Sequence, residues 1–183
     1  VDYAMDMMTP TVFGSYATGD DDERDDGSET MPYIYNDATA YRHSSMLFGF
    51  NNYLQGVYDD EFAGVSTMQS QPVGIWAVGA AINKFKLTPR LFGTLWAAYY
   101  QGTNDKDLGG RTNTTGLIYM DQALTEEDNA YEVTLRPTYA ITKQLTAHME
   151  ANYAKVEYDS DVWGDDYKDD PATRLAVGLM YNF

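Results

Sequence analysis

Carboxylates are the most abundant groups in this sequence that could perform chemistry, and they are concentrated in two runs. The runs cover residues 20–29 and 159–170 and hold most of the formal net charge of −16. Hard oxygen ligands at this density suit Ca²⁺ or Mg²⁺, and the candidate ligands are Asp20, Asp22, Asp25, Asp161 and Asp165. An EF-hand loop would need Glu at the twelfth place from Asp22, where Tyr33 stands. We therefore favour solvated surface loops without a cofactor, and adventitious binding of Ca²⁺ or Mg²⁺ stays open.

Histidine and serine offer little support for catalysis. The two histidines are His43 and His148, and His43 is followed directly by Ser44 and Ser45. Adjacency in sequence does not produce the geometry of a nucleophile and its base. We expect no catalytic residues and no enzyme activity. The negative net charge also argues against binding to nucleic acid.

The segment that ends the chain indicates how the remaining polar residues are positioned. Residues 173–183 alternate between an apolar set (Leu175, Val177, Leu179, Tyr181, Phe183) and a small or polar set (Arg174, Ala176, Gly178, Met180, Asn182). Successive side chains of a strand point to opposite faces. Such a split is typical of an outer-membrane barrel strand, which has lipid on one side and a wet lumen on the other. An amphipathic edge strand of a soluble sheet is the alternative.

A repeated pattern predicts three short turns. Residues 8–12, 87–91 and 141–145 each read as an apolar residue, Thr, Pro or Lys, any residue, and an apolar residue. Proline pre-sets φ for a tight turn, and a threonine hydroxyl can bond the nearby backbone. We predict hairpins that turn at Pro10, Pro89 and Lys143, all at one end of a sheet. The long acidic linkers 19–71, 102–128 and 159–170 belong at the other end, as extracellular loops do in barrels.

These turns predict seven strands and an all-β fold, namely an antiparallel transmembrane β-barrel. The predicted strands are 1–8, 11–18, 73–87, 91–102, 130–141, 145–158 and 172–183. Pro137 falls within a strand, where proline removes a ladder hydrogen bond, so we predict a bulge there. A complete barrel of this class has an even number of strands, at least eight. We therefore expect residues 1–183 to be one segment, the C-terminal part of a larger barrel domain.

Composition agrees with spanning strands rather than spanning helices. The longest strongly apolar run is residues 72–82, whereas a spanning helix needs roughly 20 apolar residues. The mean hydropathy of −0.47 does not oppose a barrel, because barrel strands are only half apolar. The chain has no cysteine, which excludes disulfide bonds.

Charged residues on the predicted strands share the polar parity. A charge on the lipid face costs roughly 2–4 kcal/mol at mid-bilayer, so we predict that they line the lumen. The predicted pore-lining residues are Lys84, Lys86, Arg136, Arg174, Glu132, Glu150 and His148. One hypothesis is a sparse basic track that favours small anions, with Arg174 near the linkers and Arg136 near the turns. The alternative is that these charges pair across neighbouring strands and stabilise the wall.

Aromatic residues lie near the strand ends. Tyr16, Tyr99, Tyr139, Tyr153, Tyr181 and Phe183 are predicted to form the aromatic girdles found at membrane interfaces. A tyrosine-rich face that binds sugars is the alternative.

Four short stretches resemble the homotrimeric outer-membrane porins of Desulfovibrio-type bacteria. They are residues 3–21, 27–34, 102–105 and 161–164, which read YAMDMMTPTVFGSYATGDD, GSETMPYI, GTND and DVWG. A weaker similarity links the chain to alginate-export barrels. The porin resemblance implies a longer mature protein, a homotrimer in the bacterial outer membrane, and passive diffusion of small hydrophilic solutes. The expected partners are outer-membrane lipid and lipopolysaccharide.

We therefore expect a porin with a charge-lined, water-filled lumen. The alternatives are a substrate-specific channel for an anionic polymer or oligosaccharide, and a non-conducting barrel for adhesion or anchoring. The trimer contact is predicted over residues 73–100, where small residues permit close approach. These small residues are Gly79, Ala80, Ala81, Gly93, Ala97 and Ala98.

Overall fold

The computed structural model describes residues 1, 3–21, 74–108, 124–165 and 169–183. Their strands form one antiparallel sheet in chain order, β1-β2-β3-β4-β5-β6. The strands are β1 (Thr9–Tyr16), β2 (Ile75–Thr88), β3 (Leu91–Gly102), β4 (Asn129–Ala140), β5 (Leu145–Glu157) and β6 (Ala172–Tyr181). A 3-10 turn (Lys106–Leu108) and a one-turn helix, α1 (Ser160–Trp163), lie outside the sheet. The predicted all-β antiparallel class is confirmed. Within the described residues the sheet stays open, because β1 and β6 do not pair with each other.

The connections divide the sheet into two edges. At the turn edge, residues 89–90 join β2 to β3 and residues 141–144 join β4 to β5. At the linker edge, β1, β3 and β5 end, and β2, β4 and β6 begin. The expected arrangement, with short turns at one end and long linkers at the other, is confirmed for the described strands. No helix in this described part of the chain has the length and apolar character needed to cross a membrane.

The two short turns have the same local geometry. Thr88 Oγ1 accepts the backbone N–H groups of Arg90 at 3.2 Å and Leu91 at 3.0 Å. Thr142 Oγ1 accepts those of Gln144 at 3.2 Å and Leu145 at 3.0 Å. Each hydroxyl satisfies two backbone donors that the turn would otherwise leave without a protein partner. The repeated pattern therefore predicted both turns and their mechanism correctly.

The third predicted turn, at Pro10, is wrong. Pro10 lies inside β1 opposite Ile82, and the chain reverses earlier, at Asp6 and Met7. Backbone bonds from Tyr3 N to Pro10 O and from Met5 N to Met8 O, both 2.9 Å, close this earlier hairpin. Proline is tolerated near the start of a strand where its missing N–H is not needed by the neighbouring strand.

The predicted strand 1–8 is wrong for a related reason, and the described sheet has six strands rather than seven. Val1 N donates to Val12 O at 2.7 Å, and Val12 N donates to Val1 O at 3.0 Å. Residues near Val1 therefore lie beside β1. Pro10 has no N–H to return the bond from Tyr3, so a regular ladder does not form. Asp2 lies outside the described residues.

The register is irregular in β2 and not at Pro137. Leu135 pairs with Ala151 and Thr138 with His148 in one unchanged register, so no residue is inserted at Pro137 and the predicted bulge is wrong. Register shifts occur instead between Ile82 and Phe85 and between Lys86 and Thr88. Lys84 lies within the first shift, at a φ of 53°.

The sheet has one buried face and one exposed face. Cross-strand pairing places these residues on the buried face: Thr11, Phe13, Ile75, Ala77, Gly79, Ala81, Trp96, Ala98, Tyr100, Ala130, Glu132, Thr134, Arg136, Thr138, His148, Glu150, Asn152, Ala154, Arg174, Ala176 and Gly178. An apolar cluster fills its linker-edge part, around Ile75, Trp96 and Tyr100. Polar and charged residues fill its middle, across β4, β5 and β6.

The exposed face is the apolar one. Leu175, Val177 and Leu179 are 64–68% exposed, whereas Glu132 and Glu150 on the other face are 0% and 1% exposed. A sheet of a soluble protein normally places its apolar residues inward and its polar residues in water. Across β4, β5 and β6 the described sheet has the opposite arrangement.

The small residues predicted for the trimer contact lie on both faces of the sheet, and the trimer contact itself stays a prediction. Ala80 and Ala97 oppose each other on the exposed face, whereas Gly79 opposes Ala98 on the buried face. Alternation along the strands separates the set. Phe13 lies across Gly79, where an added Cβ would come within 2.7 Å of its ring.

Candidate functional site

A charged cluster lies at the centre of the buried face. Glu150 Oε2 accepts Nε of Arg136 at 2.8 Å, and Glu150 Oε1 accepts Nη2 of Arg174 at 2.5 Å. The Glu150 side chain is 2% exposed, and the two arginine side chains are 16% and 33% exposed. Burying one carboxylate is tolerated here because two guanidinium groups and further donors surround it.

Neutral side chains extend this cluster toward β3. Asn152 Nδ2 donates to Glu150 Oε1 at 2.9 Å, and Thr134 Oγ1 donates to Asn152 Oδ1 at 2.6 Å. Thr134 also lies 3.4 Å from Glu132 Oε1. Two acids and two arginines therefore occupy one connected patch, and their formal charges cancel.

His148 continues the polar patch toward the turn edge. Its Nδ1 lies 3.1 Å from Thr138 Oγ1, and its Nε2 lies 2.9 Å from Thr146 Oγ1. A hydroxyl can donate or accept, so either neutral tautomer of the ring satisfies both bonds. The two hydroxyls therefore fix the orientation of the imidazole on the buried face.

Trp96 is the one unsatisfied polar side chain found in the described interior. Its indole is 2% exposed, and Nε1 meets no acceptor among the described residues. Trp96 opposes Thr134, so it adjoins the charged cluster. A buried donor without an acceptor costs about 1–3 kcal/mol.

The structure places the two predicted luminal lysines differently from each other. Lys86 opposes Phe92, which opposes Thr138, so Lys86 belongs to the row of His148. The register shift after Ile82 produces this placement. Lys84 has no cross-strand partner in the register. Both lysines are exposed and lie toward the turn edge.

The predicted basic track takes the form of a cluster instead. Arg136 and Arg174 contact the same carboxylate, so they are not spread between the two edges. The alternative hypothesis, pairing across neighbouring strands, accounts for both arginines. The structure brings five predicted pore-lining residues together on one face, namely Glu132, Glu150, His148, Arg136 and Arg174. Lys86 shares their face nearer the turn edge, and Lys84 has no cross-strand partner in the register.

Aromatic side chains form two belts on the exposed face. Tyr139 and Tyr181, followed by Phe183, lie at the turn edge, and Tyr16, Tyr99 and Tyr153 lie toward the linker edge. Sequence reasoning missed Trp76 and Tyr131, which pair with Tyr16 and Tyr99 in the linker-edge belt. The Trp76 and Tyr99 rings are 5.4 Å apart, and the Tyr131 and Tyr153 rings are 6.1 Å apart.

The spacing of the belts can be compared with a bilayer. Tyr131 and Tyr139 are eight residues apart on β4, which is about 26 Å along the strand at ~3.3 Å per residue. The apolar band of outer-membrane barrels is about 25 Å tall. Because barrel strands are tilted, the vertical distance between the two belts is shorter than their distance along the strand. This vertical distance still agrees with the height of the apolar band in order of magnitude.

Asn104 joins three chain segments at the linker edge. Its Nδ2 donates to Leu124 O at 2.7 Å and Gly74 O at 3.3 Å, and its Oδ1 accepts Asp20 N at 3.1 Å. Gly74 has a φ of 72°, and an added Cβ there would lie 2.3 Å from the Asn104 side chain. Glycine is required at that position on both counts.

Asp128 is a second junction at the same edge, and it is 0% exposed. Its Oδ2 accepts Thr125 N at 2.8 Å, Thr125 Oγ1 at 2.7 Å and Trp163 Nε1 at 2.8 Å. Its Oδ1 accepts Asp159 N at 2.8 Å. The buried carboxylate thus fixes α1, whose first turn is capped by Asp159, against the start of β4.

The three predicted metal ligands that the structure describes, Asp20, Asp161 and Asp165, are not gathered into a site. Asp20 is held through its backbone to Asn104 and Asp105, and Asp161 and Asp165 are exposed around α1. Asp22 and Asp25 lie outside the described residues, as does His43. Within the described ranges no three His, Cys, Asp or Glu side chains are grouped for a metal ion.

Asn104 and Asp128 were missed as anchors by sequence reasoning, although short motifs mark their surroundings. The GTND stretch contains Asn104, and the DVWG stretch contains Trp163, which binds Asp128. Both stretches carried the porin resemblance. No family model, no curated protein and no solved structure matches this chain. The resemblance therefore depends on these short stretches alone.

Proposed function

We propose that this chain forms part of an outer-membrane β-barrel that acts as a porin for small hydrophilic solutes. The observation that carries the proposal is the inverted arrangement of β4, β5 and β6, with apolar residues exposed and charged residues buried. Lipid on the exposed face would remove the penalty of leaving that surface in water. The two aromatic belts support the same interpretation, because tyrosine and tryptophan favour membrane interfaces.

The buried face would supply the wall of the water-filled path. The partly exposed guanidinium groups of Arg136 and Arg174 would present donors to a passing solute, and the buried Glu150 carboxylate holds them in position. The paired charges leave this wall close to neutral. The linker edge carries most of the described carboxylates and therefore favours cations at the mouth. This mechanism needs no cofactor and proceeds down a concentration gradient.

Depth-dependent substitution tests the membrane placement. In β6, Val177 lies in the middle of the exposed face, and Thr173 lies on the same face near the linker edge. Arginine costs roughly 2–4 kcal/mol at mid-bilayer and about 0–1 near an interface. We expect Val177→Arg to abolish folding into lipid vesicles and Thr173→Arg to leave it nearly intact. Equal tolerance of both changes would instead indicate a sheet whose apolar face meets water or protein.

Conductance tests the channel itself. The full-length protein that contains this chain, reconstituted in planar bilayers, should give ohmic openings and a reversal potential that indicates a weak cation preference. Arg136→Gln combined with Arg174→Gln should strengthen that preference, because Glu150 would lose both cationic partners. Insertion without conductance would favour the non-conducting barrel, and an anion preference in the parent would contradict the neutral wall.

Trp96 favours a second candidate, a channel selective for an oligosaccharide or anionic polymer. Trp96 opposes Thr134, which bonds Asn152 in the charged cluster, so an indole donor without an acceptor among the described residues lies in a polar part of the buried face. Block of the conductance by one class of oligosaccharide, reduced in Trp96→Phe, would support this candidate over general diffusion.

A further inference from the structure

The two edges of the sheet carry charges of opposite sign. All described acidic residues except Asp6, Glu132 and Glu150 lie at the linker edge. Four basic residues lie at the turn edge: Lys84, Lys86, Arg90 and Lys143. We call these four the basic rim. Asp6 is the one acidic side chain near it in the described part of the chain.

The basic rim is available to a partner. All four of its side chains are exposed, and within the described residues none forms an ion pair. The other described cations of the sheet behave differently, since Arg136, Arg174 and Lys155 each contact a carboxylate. Four cations with one acidic side chain near them in the described part of the chain favour an anionic partner.

Backbone bonds hold the rim beside the turn-edge aromatic belt. Ala140 N donates to Arg90 O at 2.8 Å, which places Arg90 next to Tyr139. Asn182 N donates to Gln144 O at 2.9 Å, which places the turn containing Lys143 next to Tyr181. Lys86 N donates to Met7 O at 3.0 Å. Arg90 and Lys143 therefore lie next to exposed tyrosines along this edge, and Lys86 lies beside the turn at Asp6 and Met7.

We propose that the basic rim binds the phosphate groups of anionic phospholipids in the leaflet that the turn edge reaches. This inference rests on the proposed membrane placement. Tyrosine rings locate at headgroup level, and lysine and arginine beside them meet lipid phosphates. A soluble acidic protein would satisfy the charge but not the continuity with the apolar face. The acidic linker edge repels anionic headgroups, which favours the orientation of the barrel that places the turn edge in the leaflet with anionic phospholipids.

Spin-labelled lipids measure this binding directly. The full-length protein would be reconstituted in phosphatidylcholine bilayers, and electron paramagnetic resonance would compare immobilised phosphatidylglycerol with immobilised phosphatidylcholine. We expect the protein to prefer phosphatidylglycerol, with each basic residue near the surface contributing up to about fivefold. The preference should weaken at about 1 M salt, where the Debye length is ~3 Å.

Matched variants identify the residues responsible. The combination Lys84→Gln, Lys86→Gln, Arg90→Gln and Lys143→Gln should bring the preference close to one. A charge-retaining set, Lys84→Arg, Lys86→Arg, Arg90→Lys and Lys143→Arg, should keep it. Lys106→Gln with Lys155→Gln removes charge from the linker edge and should also keep it. If the fourfold variant does not insert, Arg90→Gln and Lys143→Gln singly should each lower the preference.

The outcomes separate this inference from the proposed function. A parent that inserts and conducts without preferring phosphatidylglycerol would overturn the lipid site and leave the channel standing. The lipid site would also be overturned if the fourfold variant, or both single variants, kept the full preference. A parent that never enters a bilayer would overturn both proposals.

Discussion

The turn edge and the linker edge of this sheet are stabilised in different ways. At the turn edge, Thr88 and Thr142 bond backbone groups two and three residues away. At the linker edge, Asn104 and Asp128 bond groups that are mostly tens of residues away. The first kind of bond forms inside one hairpin. The second requires several strands to be in place, so the linker edge depends on the whole sheet.

The largest effect should come from the buried carboxylate of the linker edge. Asp128→Ala leaves the donors of Thr125, Asp159 and Trp163 without an acceptor, and we expect a loss of about 3 kcal/mol in the free energy of unfolding. Urea titration followed by tryptophan fluorescence measures it. Asp161→Ala, which removes an exposed carboxylate from the neighbouring α1, is the control and should change stability by less than about 0.5 kcal/mol. Equal effects would remove the distinction between buried anchor and surface acid.

A smaller loss should follow from Gly74→Ala. The added Cβ would sit at a φ of 72° and 2.3 Å from the Asn104 side chain, so the strain and the displaced amide should together cost about 2 kcal/mol. Gly164→Ala is a matched control, because Gly164 also has positive φ but has nothing within 4 Å of the added Cβ. The difference between the two variants, measured in the same titration, isolates the contact with Asn104. No difference would mean that Asn104 adjusts freely.

The smallest effects should come from the turn edge. Thr142→Val keeps the side-chain shape and removes the hydroxyl, and we expect a loss of about 0.5–1 kcal/mol because the freed N–H groups of Gln144 and Leu145 can turn to water. Thr88→Val should behave alike, and the two losses should add, since the sites lie in separate turns. Thr173→Val is the control for a strand threonine. A loss at Thr142 as large as that at Asp128 would contradict the contrast between the edges.

The comparison also explains which predictions succeeded. Residues 87–91 and 141–145 contain all the atoms of their own turns, so a short pattern could predict them. The same pattern failed at residues 8–12, because pairing with β2 and the segment near Val1 decided where the chain reverses. The faces of β4, β5 and β6 were predictable from alternation. Lys86 lies on the face predicted for it, but only because of a register shift in β2 that no local residue indicates.

The charged cluster was predictable from the sequence only in part. Alternation alone predicted that Glu132, Glu150, His148, Arg136 and Arg174 share a face. It could not decide that both arginines reach one carboxylate, because that contact depends on the register of β4 and β6 against β5. The residue types indicated that these arginines and glutamates could form ion pairs, but they did not indicate the geometry of the pairs.

By itself the sequence determined the antiparallel all-β class, the alternating faces and two of the turns, because these depend on side-chain periodicity and on atoms a few residues apart. The tertiary structure decided which edge residues become anchors, where β2 shifts register, and how the buried charges pair. Those features depend on backbone positions brought together from distant parts of the chain. Periodicity records which face a residue occupies, and only strand register fixes which side chain it meets there.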